Sequence, residues 1–224
     1  MIRWNIVTNA VIGVYKIMPE ITFPLNIKQI ISLYSNCKCQ SYSRFGEVNK
    51  MSFNEVIEFC QSKSGCTHYD IANRRYLVVC NENENPGRVR WTYAHELGHI
   101  LCGHFLNRTN RMNSNAISDD KVLEQEADAF AALLLCPYAL FELLDIRSAL
   151  DISKTFGVSC EAANNRWNEY KTKNYKYVNS LFAIELRNLF FVKRPLDEIV
   201  FDVPHNTVSI PVHHKFSYES SLFS

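Results

Sequence analysis

The chain has 224 residues, 47% of them hydrophobic and 21% charged, with a formal net charge of +1. That balance fits a globular protein with one substantial core, and it excludes a disordered chain. The charge offers no general attraction to nucleic acid or anionic membrane, and no apolar run approaches the roughly 18–20 residues a membrane span needs.

Met1–Glu20 carries Arg3 and a mildly apolar stretch that Asn5, Thr8 and Asn9 interrupt. No small-residue cleavage site follows, so no signal peptide is expected. These residues show no clear period and read as a leader or an irregular element. Pro24 breaks the chain, and Asn26–Tyr34 reads as a short amphipathic helix. Cys39–Asn49 is polar and reads as a loop with a short strand. Ser52 with Glu55 three residues on is a capping box, which starts a helix over Ser52–Cys60. Cys66–Asp70 and Arg75–Cys80 are β-rich runs on either side of Ile71–Arg74, the pattern of a hairpin.

Asn81–Gly87 is a turn, and Pro86 suits the first position of a helix running to about Gly103. Phe105–Lys121 is polar and reads as a mobile loop, a candidate gate. Val122–Leu135 is a second strong helix, with Leu123, Ala127, Phe130, Ala131 and Leu134 in one stripe, and Pro137 ends it. Short helices follow at Tyr138–Leu144, Arg147–Phe156 and Cys160–Thr172. Beyond Lys173 aromatic residues (Tyr175, Tyr177, Phe182, Phe190, Phe191) suggest packing or partner contact, and Ile199–Val212 is β-like. His213 and His214 make a weak metal pair.

The eight cysteines lie mostly in apolar, periodic segments, where a free thiol behaves as a small hydrophobe. A reducing cytosol is the expected compartment. A structural zinc site from Cys37, Cys39, Cys60 and Cys66 lacks a matching second pair and is disfavoured.

The chemistry concentrates in Arg90–His104. His95, Glu96 and His99 form HExxH. On a helix, residues four apart share a face, so two imidazoles can close on one metal while the carboxylate reaches its water. Trp91, Ala94, Leu97, Ile100 and Leu101 make the remaining faces apolar, and two histidines on a core helix need polar partners. A zinc site of this type requires a third protein ligand. Position 105 is Phe, not the His of a metzincin, and His104 reads as a cleft residue. The remaining source is a Glu on the second helix, the gluzincin arrangement, with Glu124 and Glu126 on offer. Glu124 is favoured because Asp128, four residues on, can accept the ring N–H of a ligating histidine. Glu126 stays open as the alternative. Glu96 would be the general base, and Tyr93 or His104 a donor to the oxyanion.

Taken together, RxxxAHELGH (Arg90–His99) followed by ExEADxFAxxLLxP (Glu124–Pro137) resembles the ImmA/IrrE family of zinc metallopeptidases. The resemblance covers about residues 25–172, with Cys136 where the family usually carries Met. It implies a small α+β, gluzincin-like metallopeptidase fold, mostly helical, with a short sheet before the HExxH helix. The expected division is a leader at 1–24, the metallopeptidase domain at 25–172 and an extension at 173–224. The implied activity is Zn²⁺-dependent cleavage of a cytoplasmic regulatory protein, a transcriptional repressor of a mobile element, phage or stress regulon. A non-catalytic zinc-containing sensor or protein-binding module is the competing reading. Ile152–Trp167 has a helix-turn-helix look, but its few cations are set against Glu161 and Glu169, so direct nucleic-acid binding is not expected.

Overall fold

A computed structural model describes residues 1–105, 121–172 and 180–194. The expected gate between residues 105 and 121, the aromatics Tyr175 and Tyr177, the Ile199–Val212 run and the His213–His214 pair fall outside these residues, Phe105 excepted.

The described chain runs α1 (Trp4–Ile17), α2 (Ile27–Ser32), β1 (Cys37–Ser41), α3 (Tyr42–Asn49), α4 (Phe53–Cys60), β2 (Gly65–Asp70), β3 (Arg75–Cys80) and α5 (Pro86–Leu101). It continues through α6 (Lys121–Leu135), a 3₁₀ turn at Tyr138–Leu140, α7 (Ala149–Phe156), α8 (Cys160–Lys171) and α9 (Ser180–Lys193). This is an α+β fold, mostly helical, with one three-stranded sheet of order β1-β3-β2. β2 and β3 form the antiparallel hairpin, Cys66 facing Val79, and β1 runs parallel to β3, Cys37 facing Tyr76. No described helix is long and apolar enough to cross a membrane.

Local chemistry explains most of the element ends. Ser52 and Glu55 make the reciprocal capping box of α4. Asn85 accepts from the Arg88 amide and Pro86 occupies the first turn, which starts α5. At the other end of α5, Gly103 adopts φ 75°, and the His104 amide bonds back to the His99 carbonyl at 3.0 Å. This left-handed turn folds His104 under the helix it has just left.

α5 and α6 pack against each other at the centre, and Gly98 sits at their closest approach. A Cβ there would lie 3.0 Å from Phe130 Cδ1 and 3.1 Å from Ala127 Cα. Glycine is therefore what lets the two helices come together beside His95 and His99.

Within residues 1–20, read as a leader or an irregular element, α1 is a regular helix that buries Val7, Val11, Val14 and Tyr15, and the Tyr15 hydroxyl donates to the Leu134 carbonyl at 2.8 Å. Its period is blurred because Ile6 and Ala10, on its other faces, also pack against the core. Contacts cross the expected boundaries at 24 and 172. Phe182, Leu186 and Phe190 of α9 belong to the same core as α1 and α5, and Lys193 Nζ donates to the Met18 carbonyl at 2.6 Å.

Cys39–Asn49, expected as a loop with a short strand, is instead the end of β1 followed by α3. The strand's Lys, Gln and Ser have little strand preference, so its pairing with β3 decides the conformation. α3, α4 and one face of the sheet enclose a small second core of Tyr42, Phe45, Val56, Cys60, Cys66 and Val79.

Candidate metal centre

α5 presents His95 and His99 one turn apart, with Nε2 of each 3.0 Å from the other. α6 brings Glu124 over them: its carboxylate oxygens lie 3.3 Å from His95 Nε2 and 3.4 Å from His99 Nε2. These separations are close to the ~3.3 Å edge of a tetrahedron whose arms are the roughly 2.0–2.1 Å of zinc–nitrogen and zinc–oxygen bonds.

The outer hydrogen bonds fix which ring nitrogens face inward. Asp128 Oδ1 lies 2.9 Å from His95 Nδ1, and a carboxylate only accepts, so Nδ1 carries the proton and Nε2 presents a lone pair. On the other side the argument takes one more step. Glu126 Oε2 lies 3.1 Å from His104 Nε2, which must donate. Burial, with the neighbouring His99, lowers the His104 pKa to about 4, so the ring is neutral and its Nδ1 accepts. His99 Nδ1, 2.8 Å from that atom, therefore donates, and its own Nε2 lone pair points at the centre.

Two lone pairs 3.0 Å apart repel unless a proton or a cation lies between them. The charges reflect this. Burial opposes protonation of His95, but hydrogen bonds to Asp128 and Glu124 prevail and raise its pKa to about 10. Glu124 is held well below the usual carboxylate range by the two histidines, against its partial burial. A site that attracts positive charge, with two imidazoles and one carboxylate converging, fits a divalent metal of the zinc type.

Glu96 stands beside these donors without joining them. Thr67 Oγ1, on β2, donates to its Oε2 at 2.7 Å. Glu96, Thr67, His95, His99 and Glu124 all line one open cavity of about 380 Å³, together with Arg88, Trp91 and Phe105. Gly65 lets β2 approach α5 here, since a Cβ at that position would meet Thr92 Cγ2 at 2.5 Å.

The sequence-predicted residues are thus divided. His95, His99 and Glu124 converge, their donor atoms all within 4.8 Å of one another, and Glu96 flanks them. Glu126 turns away: fully buried, it accepts from the Arg3 amide at 2.8 Å and from Arg3 Nη2 at 2.6 Å. Burial raises its pKa, yet Arg3 and then His104 hold it down at about 2. His104 is enclosed rather than cleft-facing, because Gly103 folds it beneath His99. Tyr93 is equally remote from the cavity and donates to Glu82 at 2.8 Å. Neither expected oxyanion donor faces the cleft. Sequence reasoning missed Arg3 and Thr67, for neither of which spacing along the chain gives a signal.

The helix-turn-helix segment is α7 and α8. Its Arg166 is turned inward, the guanidinium 3.6 Å from the Tyr138 ring and donating to the Cys136 carbonyl at 2.7 Å. That cation is engaged within the fold.

A protein family described as peptidase M78, the IrrE N-terminal-like domain, matches residues 51–168. No curated protein matches the chain.

Proposed function

The chain belongs to the peptidase M78 family of IrrE N-terminal-like domains, and from that premise we propose that it is a zinc-dependent endopeptidase acting on a cytoplasmic regulatory protein. The observation that carries the reading is the position of Glu96, a carboxylate beside a three-donor cluster on an open cleft. A purely structural zinc site has four protein ligands and needs no base.

His95, His99 and Glu124 are the proposed ligands. A zinc ion held by them would supply Lewis-acid polarisation of a scissile carbonyl and would lower the pKa of a water in the cleft. Thr67 fixes one oxygen of Glu96, leaving Oε1 to take a proton from that water and hand it to the leaving amine. Asp128 and the His104–Glu126 pair keep the histidine tautomers that direct both Nε2 atoms inward.

β2 borders the cleft, with β3 on one side and, among the described residues, no strand on the other. An extended segment of substrate can pair with that edge and lay its carbonyl beside Glu96. The proposed substrate class is a DNA-binding repressor, as the family resemblance implies.

The test is cleavage of a peptide library together with metal analysis. Wild type is expected to carry zinc in the His95 centre and to cut. Glu96→Gln should keep that zinc and lose cleavage, and His95→Ala should lose that zinc. Full activity of Glu96→Gln would remove Glu96 as the base. Mapping new N-termini in a native extract tests the substrate class, which fails if none arises in a DNA-binding regulator.

A further inference from the structure

A second cluster of metal-ligating side chains lies in the small core behind β2. Cys60 ends α4, and Cys66 and His68 are alternate residues of β2, so both project to the same face of the strand. The two sulfurs and a ring nitrogen of His68 all lie within 4.8 Å of one another, with His68 Nε2 3.3 Å from Cys66 Sγ. Phe59 and Phe45 hold the His68 ring, at 5.0 and 5.8 Å between centroids, the latter nearly parallel at 8°.

The loop that closes this cluster is itself built. Ser62 Oγ accepts from the amides of Ser64 and Gly65, each at 3.2 Å, which returns the chain from the end of α4 to β2. Both cysteines are buried, yet both also border the cavity of the His95 centre, so a cation can enter from that side.

A buried thiol that serves only as a small hydrophobe needs no imidazole beside it, and the contrast within this chain is plain. Cys37 and Cys39 join no such group, and burial raises both thiols to about 11. The four-cysteine site of Cys37, Cys39, Cys60 and Cys66 is therefore not what the fold assembles. Cys60 and Cys66, by contrast, meet each other and the His68 ring in one cluster.

We propose that Cys60, Cys66 and His68 form a second metal site, separate from the His95 centre, for a thiolate-seeking cation of the zinc class. Two thiolates and a neutral imidazole neutralise a divalent charge, and soft sulfur donors select such ions over magnesium or calcium. Binding releases the protons of the two thiols to solvent. Three protein donors leave the fourth position to water. Because Thr67 lies between Cys66 and His68 and donates to Glu96, a cation here also braces the strand that positions that carboxylate.

The test uses cadmium as probe on the full, reduced chain, followed by the ultraviolet sulfur-to-cadmium charge-transfer band. The His95 centre has no sulfur and cannot produce it. Wild type and His95→Ala are expected to give the band at one equivalent. Cys60→Ser and Cys66→Ser should lose it, and His68→Ala should weaken it. A second measurement needs no variant: zinc should protect Cys60 and Cys66 of the wild type from alkylation, read by peptide mass spectrometry, while the exposed Cys160 stays reactive. Absence of the band, its persistence in the Cys60→Ser/Cys66→Ser double variant, or unprotected thiols would overturn the proposal. So would a reduced pair that forms a disulfide in air but takes up no cadmium.

Discussion

The two histidines of α5 are oriented by the same kind of hydrogen bond, made in opposite surroundings. His95 leans on Asp128, whose side chain is 57% exposed and whose hydrogen bond water can replace. His99 leans on His104 and through it on Glu126, both side chains 0% exposed, and Glu126 is in turn clasped by Arg3. One support is local to the helix pair. The other runs through the interior and ties the third residue of the chain to the centre. Burial makes the second support strong and also makes it costly to damage, since a broken partner there leaves charges and ring nitrogens without water.

Removing the buried support should have the largest effect. Glu126→Ala is expected to destabilise the protein by about 3 kcal/mol, the low end for breaking a buried pair because Arg3 is 40% exposed. Thermal unfolding should show this, with weaker zinc binding alongside. An unchanged melting temperature would mean that the interior support carries no weight. Next comes the helix contact shared by both sides. Gly98→Ala must push Phe130 and Ala127 away, which costs about 1–3 kcal/mol. It should also draw Glu124 off both histidines, lowering zinc affinity more than the loss of the outer support of one ring.

The exposed support should matter less. Asp128→Asn keeps an acceptor but loses the charge, and zinc affinity at the His95 centre is expected to fall by about tenfold. Stability should stay within about 0.5 kcal/mol of wild type, as for other exposed charge changes. A loss as large as that of Glu126→Ala would erase the distinction between the two sides. The smallest effect is on proton exchange after chelation. The Nδ1 proton of His99, enclosed by His104, should remain slow to exchange by NMR, while that of His95 exchanges with solvent. Their simultaneous disappearance would show that metal, not packing, protects both.

This contrast marks how far the site was legible in advance. Asp128 could be read because it sits four residues from Glu124 on one helix face, and helical spacing converts directly into proximity. Glu126 offered the same carboxylate and the same helix, and only its neighbours distinguish its role. Arg3 is 123 residues away from it in sequence. Thr67, which holds Glu96, is 29 residues from that glutamate and belongs to a different element.

What the sequence determined by itself are the features carried by periodicity, capping and motif spacing. These are the hairpin, the start of α5 at Pro86, the stripe of α6, and the placing of His95, Glu96 and His99 on one helix. Each depends on residues within a turn or two of one another, so local geometry suffices. Tertiary structure decided the rest. It made a helix of α1 by giving it partners on several faces, and a strand of β1 by pairing it with β3. It turned Glu126 from a candidate ligand into an interior anchor, enclosed His104, and gathered Cys60, Cys66 and His68 into one cluster. In every case the deciding energy is burial or pairing between distant segments, which no spacing along the chain encodes.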